Sequence, residues 1–178
     1  MTIDNYTFIS NMAAGYAGMV STLPLDQSST CQAINCPTPM YEFTNYQLGL
    51  LTGAGFVTLK RSYANDNYVI TDGVTMAQSG SPYRRLSASR IADAIEDLIR
   101  VVCEPYIGKQ NNLNNQNSLR TAIKSKLDTI KNTLLESYKF SISTNESQMQ
   151  LGEIFIDYEV VPIYEIKSIS NRITVKQS

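Results

Sequence analysis

The 178-residue sequence contains no histidine and no tryptophan. Without histidine, imidazole general-base catalysis, Ser-His triads and histidine-ligated zinc sites are excluded within this chain. Lysine and arginine number 15 against 16 aspartates and glutamates, so the formal net charge is only -1. This balance argues against a nucleic-acid-binding protein that works through a strong basic field, and we expect no nucleic-acid partner.

Cysteine is scarce, with three residues at Cys31, Cys36 and Cys103. An odd number does not suggest a disulfide framework, and the pair Cys31 and Cys36 has no second pair or histidine to complete a zinc site. Cys103 lies near the end of a predicted helix, where the helix dipole disfavours a thiolate. We therefore expect reduced thiols, with Cys103 in the core or at an interface, and no metal or cofactor.

Long apolar runs are absent as well. No stretch approaches the roughly 18 apolar residues of a membrane span. The first residues lack the basic and apolar regions of a secretory signal peptide. We expect a protein that folds in a reducing cytoplasm and does not insert directly into a membrane.

The motifs that could carry chemistry are weak. The glycines at 15 and 18, and those at 53 and 55, lack the lysine or the further glycine of a phosphate-binding loop, so packing and helix capping explain them. Asp93, Glu96 and Asp97 share the outer face of a predicted helix, where no burial supports acid-base chemistry. We expect no catalytic residue, and the protein is not predicted to be an enzyme.

Apolar periodicity predicts an α+β fold, in which helices pack on a mixed, mostly antiparallel sheet. The predicted elements are a short helix near residues 12–20, an irregular loop over 21–43, a helix from the N-cap Thr44 to Leu51, a hairpin of 56–60 and 68–71, two long helices beginning at Leu86 and after the cap Asn117, strands at 139–143 and 153–160, and an alternating tail at 169–178.

Arg84, Arg85 and Arg90 cluster at the start of the first long helix. Cations are unfavourable there because the helix dipole prefers acids by a few tenths to about 1 kcal/mol. Ordinary solvated charge is one interpretation. The other is docking to an acidic partner surface, since guanidinium groups bind carboxylates in a bidentate manner.

The tail carries basic charge only. Lys167, Arg172 and Lys176 occur there without an acid, whereas the preceding strand region is acidic at Glu153, Asp157, Glu159 and Glu165. Oppositely charged strands pair favourably, at roughly 0.2–1 kcal/mol per cross-strand contact. A terminal strand can pair within its own chain or extend a neighbour's sheet, and composition leaves both open.

Several blocks, taken in order and spacing, resemble the contractile phage tail sheath proteins, and the resemblance covers roughly residues 10–178. The most specific is the run YRRLSASRIAD at residues 83–93. The others are AAGYAG at 13–18, LTGAG at 51–55, EPYIGKQN at 104–111, the strand region 152–164, and the tail residues Ile166, Ile169, Ile173 and Val175.

The resemblance implies a structural protomer of a contractile tail sheath, whose tube-proximal domain surrounds the tail tube and whose arms exchange strands with neighbours. It implies a short N-terminal arm at 1–9, a sheath core at 10–168 and a C-terminal β arm at 169–178. With the tail pattern it marks as strand-exchange residues Ile169, Arg172, Ile173, Thr174, Val175 and Lys176. Its candidate tube contacts are Arg84, Arg85 and Arg90.

The implied partners are further copies in helically stacked rings, the tail tube protein, and baseplate and tail-terminator proteins. Such a protein would be assembled in the host cytoplasm, reside in the virion tail, and contract to drive the tube through the host envelope. Because sheath proteins are usually longer, a minimal sheath, a fragment and one half of a split sheath are all open. The alternative is a sheath-like cap, baseplate or tail-terminator adaptor that does not polymerise.

Overall fold

The computed structural model describes residues 2–3, 6–7, 11–36, 38–167 and 169–175. The elements in chain order are β1 (Thr2–Ile3), β2 (Tyr6–Thr7), α1 (Met12–Thr22), α2 (Asn45–Ala54), β3 (Leu59–Arg61), β4 (Tyr68–Ile70), α3 (Leu86–Cys103), α4 (Leu113–Ile130), β5 (Leu135–Ser143), α5 (Glu146–Leu151) and β6 (Phe155–Pro162). The α+β prediction is confirmed. Within the described residues the strands form separate antiparallel pairs: β1–β2, β3–β4 and β5–β6.

The core forms where α3 and α4 pack on the hairpin β5–β6. Apolar residues recur every four positions on both helices, which places them on one face. The hairpin alternates, so that Tyr138, Phe140 and Ile142 pack against the helices while their neighbours face outward. The buried side chains of this core are Ile91, Ile95, Ile99, Leu119, Ile123, Leu127 and Leu135.

The start of α2 follows the predicted cap at Thr44, while its end lies at Ala54, three residues beyond the predicted Leu51. The Thr44 side chain accepts a hydrogen bond from the Gln47 backbone, and the Gln47 side chain accepts one from the Thr44 backbone, which forms a capping box. Gly55 ends the helix with a φ of 99°, a left-handed conformation that favours glycine.

The structure corrects the start of the second long helix. The predicted cap at Asn117 is wrong, because α4 begins at Leu113 and its N-cap is Asn112, whose side chain accepts from the Asn115 backbone at 2.9 Å. Several asparagines in this run can cap a helix, and Asn112 is the one with extended backbone.

The short helix α5 is absent from the sequence predictions. It is capped by Asn145 and ends at Gly152, which has a φ of 73°. Its six residues are too few to show an apolar period, so the sequence carries only the cap signals.

The N-terminal half is joined to β4 by a short pairing. The loop after α1 runs beside β4, where Ile34 N–H donates to the Tyr68 carbonyl at 3.1 Å and Ile70 N–H donates to the Gln32 carbonyl at 3.0 Å. Apart from this contact the loop is irregular, as predicted. Among the described residues, no helix combines the length and apolarity needed to cross a bilayer.

Candidate inter-subunit interface

The segment after β6 leaves the body of the protein. Ile163 N–H donates to the Leu134 carbonyl at 2.9 Å, which continues the hairpin by one residue. Of the described residues beyond Ile163, only Glu165 is not largely exposed to solvent. Ile173 and Val175 have 87% and 90% of their surface exposed, and no strand forms over 169–175. The alternating arm therefore has no strand partner within the described chain.

Glu165 fixes this segment to the body. Its Oε1 accepts from the Arg85 Nε at 2.8 Å and from the Ser28 hydroxyl at 3.1 Å, and its Oε2 accepts from the Ser87 hydroxyl at 2.6 Å. Arg85 Nη2 also forms an ion pair with the same carboxylate. Burial alone raises the pKa of Glu165, but the hydrogen bonds from Ser87 and Arg85 outweigh it, so the net pKa lies below its usual value.

Asp72 continues the network. Its Oδ1 accepts from Arg85 Nη1 at 2.6 Å and its Oδ2 lies 3.0 Å from Lys167 Nζ, while only 4% of its side chain is exposed. Burial raises the pKa of Asp72, yet Lys167 and Arg85 outweigh burial and the net pKa is lowered. We call Asp72, Arg85, Glu165 and Lys167 the C-terminal latch.

Backbone contacts set the position of the latch. Arg85 is the extended N-cap residue of α3 and its backbone bridges to Val74. Gly73 allows the 28–30 loop to approach, because a Cβ at this position would lie 2.5 Å from the Ser29 hydroxyl. Thr30 completes the contact, since its hydroxyl donates to Asp72 at 3.1 Å and accepts from Gly73 N–H at 2.9 Å.

Arg84 binds the chain rather than open solvent. Its Nη2 donates to the carbonyls of Thr52 and Gly53, both at 2.7 Å. Its Nη1 donates to the carbonyls of Thr75 at 3.1 Å and Ala77 at 2.6 Å. These bonds reach carbonyls in the last turn of α2, where the Thr52 carbonyl also accepts from Gly55 N–H at 3.0 Å. Arg84 thus ties α2 to the loop before α3.

Arg90 likewise connects two elements. Its Nη2 donates to the Leu23 carbonyl at 2.7 Å, which joins α3 to the end of α1. All three candidate tube-contact arginines thus have partners inside the protein, and their contact with a tube stays a prediction. The sequence did not reveal these partners, because they lie far from the arginines along the chain.

A groove of about 370 Å³ runs between α3 and β6. Its apolar lining includes Ala88 and Ala92 of α3 and Tyr158 and Val160 of β6. No other strand pairs with the outer edge of β6 in the described part of the chain. We call this the β6 groove. The small alanine side chains leave space beside β6, where a further strand could lie.

The β6 groove is acidic. Its charged lining residues are Asp93, Glu96 and Glu159. Glu96 forms an ion pair with Arg100 at 2.8 Å, and Glu159 lies 3.9 Å from Lys139. Asp93 forms no ion pair within the described ranges. Of these three acids, Glu159 lies on β6, where it would meet a basic residue on the outer face of an added strand.

The strand-exchange candidates Ile169, Arg172, Ile173, Thr174 and Val175 lie on the exposed arm, whereas Lys176 lies outside the described residues. The sequence marks Glu165 only as one acid of the strand region and does not mark Asp72 as a site residue, since no local pattern shows an ion pair between Arg85 and Glu165. Among the described residues, no cluster of cysteine and acidic side chains could hold a metal ion.

Comparison with solved structures places this fold. A chain of the anti-feeding prophage baseplate, six-fold symmetrised, superposes with a TM-score of 0.80 at 16% identity, over 93% of this chain and 49% of that one. A chain of the PVC extracellular contractile injection system sheath in the contracted state superposes with a TM-score of 0.76 at 16% identity, over 92% of this chain and 49% of that one. A sheath tail protein from Listeria innocua superposes with a TM-score of 0.55 at 17% identity, over 83% of this chain and 40% of that one.

The fold is therefore one that occurs in chains of contractile injection systems and in a sheath tail protein. This chain spans about half the length of the chains from the injection systems. No family model and no curated protein matches the sequence.

Proposed function

We propose that this chain is a structural protomer of a contractile tail sheath, which polymerises around a tail tube and contracts to drive it through a host envelope. The observation that carries the proposal is the fold likeness over more than nine-tenths of the chain to chains of contractile assemblies, one of them a sheath in the contracted state. The protein acts by assembly and not by catalysis, as part of a virion tail assembled in the host cytoplasm.

Residues 169–178 act as an arm that joins one copy to the next. Ile169, Ile173 and Val175 alternate with Arg172, so an added strand presents an apolar face and a basic face. We place this strand along the outer edge of β6 in another copy, where its apolar face covers Ala88 and Ala92 of the β6 groove. Backbone hydrogen bonds then complete the sheet.

Charge favours this arrangement. With the apolar face toward α3, Arg172 lies on the outer face of the hairpin, the face that carries Asp157 and Glu159. Each opposite-charge contact between strands is worth roughly 0.2–1 kcal/mol. The remaining division of the chain, with an arm at 1–9 and a core at 10–168, belongs to the same proposal.

A charge exchange between copies tests the arm. Arg172→Glu alone, and Asp157→Lys with Glu159→Lys alone, should each assemble poorly in sedimentation and electron microscopy. An equimolar mixture should recover assembly, because the acidic arm fits the basic edge and the basic arm fits the unaltered edge. Asp66→Asn is the matched control, since Asp66 is exposed and lies on the distant β3–β4 turn. Equal assembly of all variants would refute the arm role.

We also propose a tube-facing surface at the start of α3, where Arg84, Arg85 and Arg90 lie. Further partners are the tail tube protein and the baseplate and tail-terminator proteins. Arg90 is the best probe, because within the described residues its guanidinium donates to two carbonyls, those of Leu23 and Pro24. Arg90→Gln should weaken co-sedimentation with the tube protein, and the loss should grow as salt is lowered. Unchanged co-sedimentation would exclude this contact.

A second candidate is a cap, baseplate or terminator adaptor that forms a single ring. The likeness to a chain from a baseplate favours it. Light scattering over a range of concentrations separates the candidates: open-ended growth supports a sheath, and a fixed small ring supports the adaptor.

A further inference from the structure

We propose that the C-terminal latch prevents the arm from closing on its own β6 edge, and thereby reserves the β6 groove for the arm of another copy. The proposal rests on the proposed function. It adds a reason why one chain with both an arm and a groove joins a neighbour instead of pairing with itself.

Self-closure is otherwise the nearest alternative. An antiparallel return strand can follow β6 after a hairpin loop of two to five residues. The residues available for such a loop are those directly after Pro162, and the arm from 169 onward is long enough to run back along β6. Closing so short a loop costs less entropy than recruiting a second molecule. A contact that prevents the arm from pairing with its own β6 edge therefore leaves that edge open to another copy.

The latch occupies the residues that such a loop requires. Glu165 is held by Arg85, Ser87 and Ser28, at the start of α3 and in the 28–30 loop. Two residues later, Lys167 reaches Asp72. Since Tyr164 and Ile166 are 50% and 80% exposed, apolar burial does not hold this segment, and its polar contacts do.

The latch also directs the chain away from the groove. Lys167 lines a cavity of about 500 Å³ together with Asp72 and Arg85, between α2 and the loop after β4. That cavity shares no lining residue with the β6 groove. At Lys167 the chain therefore lies against this cavity and not in the β6 groove.

The ionisable groups around the latch define its pH range. Glu165 faces Arg85, and Asp72 faces Arg85 and Lys167, with Tyr16 and Arg90 nearby. Both carboxyl pKa values are lowered in the folded protein. The stability that they contribute is present above the unfolded pKa values of roughly 4 and is lost as pH falls through the folded values. The latch therefore stays closed at neutral pH.

The test compares the full chain with an opened latch, Glu165→Gln combined with Lys167→Gln. Hydrogen exchange is measured on monomers, at a concentration below that of assembly. In the unaltered chain the β6 edge and the arm should exchange rapidly. In the opened variant, both should become protected independently of concentration, and assembly should be lost in sedimentation.

Two further variants keep the result interpretable. Lys167→Gln alone alters a side chain that is 64% exposed, so it folds even if the double variant does not, and it should shift exchange in the same direction. Glu104→Gln with Lys131→Gln removes the same charges at two exposed positions outside the latch and the groove, and should change neither readout. Opened variants that assemble and exchange like the unaltered chain would overturn the latch. Failure of the unaltered chain to assemble would overturn the proposed function instead, and the exchange measurement would still decide on the latch.

Discussion

Replacing Arg84 with methionine tests whether this residue is a structural tie. Methionine keeps much of the apolar stem and removes the guanidinium, which donates to four carbonyls at 2.6–3.1 Å. At a net worth of about 0.5–1.5 kcal/mol for each hydrogen bond, the loss sums to roughly 2–6 kcal/mol. Because the site is partly exposed and water replaces some of the bonds, we expect the free energy of unfolding to fall by about 2–4 kcal/mol.

Urea denaturation followed by circular dichroism measures this loss. With an m-value of about 2 kcal/mol/M, a loss of about 3 kcal/mol lowers the unfolding midpoint by roughly 1.5 M. Hydrogen exchange should also rise in the last turn of α2, where the Thr52 and Gly53 carbonyls each lose the bond from Arg84. Arg84→Lys should recover only part of the loss, since an ammonium group cannot span the four carbonyls.

Arg100→Met is the matched control. Arg100 binds Glu96 and Asp97, yet 69% of its side chain is exposed. Surface pairs of this kind are worth at most about 1 kcal/mol, so its midpoint should change little. If Arg84→Met changed stability no more than Arg100→Met, the structural role would be refuted and a free, partner-binding Arg84 would be favoured.

Two further predictions concern single side chains. Gly73→Ala should destabilise the fold by about 1–3 kcal/mol in denaturation, because the new Cβ would overlap the Ser29 hydroxyl. Gly18→Ala should instead stabilise α1 slightly, because the space around Gly18 is open. A more stable Gly73→Ala than Gly18→Ala variant would contradict this packing. Burial and then Asp128 raise the pKa of Tyr138 to about 12, so its contribution to stability is present below pH about 10 and is lost as pH rises toward 12. Asp128→Asn should lower the pKa of Tyr138, which ultraviolet titration measures as the difference from a Tyr138→Phe variant. An unchanged pKa would refute the contact between Tyr138 and Asp128.

The sequence predicts the elements whose signals are local and long. In α3, Ile91 and Ile95 lie four residues apart, and the strands alternate after Tyr138, so both periods are visible without a structure. Thr44 and Gly55 mark the ends of α2 through their own backbone preferences. For these reasons the α+β architecture follows from the residues alone.

Contacts between distant residues do not follow in the same way. Arg85 and Glu165 are 80 residues apart, and neither has a neighbour pattern that points to the other. From the sequence, the arginines at the start of α3 indicate solvated or partner-binding charge, since a basic residue at a helix N-terminus does not reveal which carbonyls it binds. The arm pattern predicts a strand but not the chain that it pairs with, because one strand has the same alternation in either sheet.

A disulfide between two copies tests whether the arm of one lies in the β6 groove of the other. Cys31, Cys36 and Cys103 are replaced by serine, one preparation carries Ala92→Cys in the β6 groove, and the other carries Ile173→Cys on the arm. After mixing, assembly and mild oxidation, we expect a covalent dimer that neither preparation forms alone. Ordered assemblies that give no such dimer, while a single chain with both cysteines closes on itself, would contradict this placement of the arm.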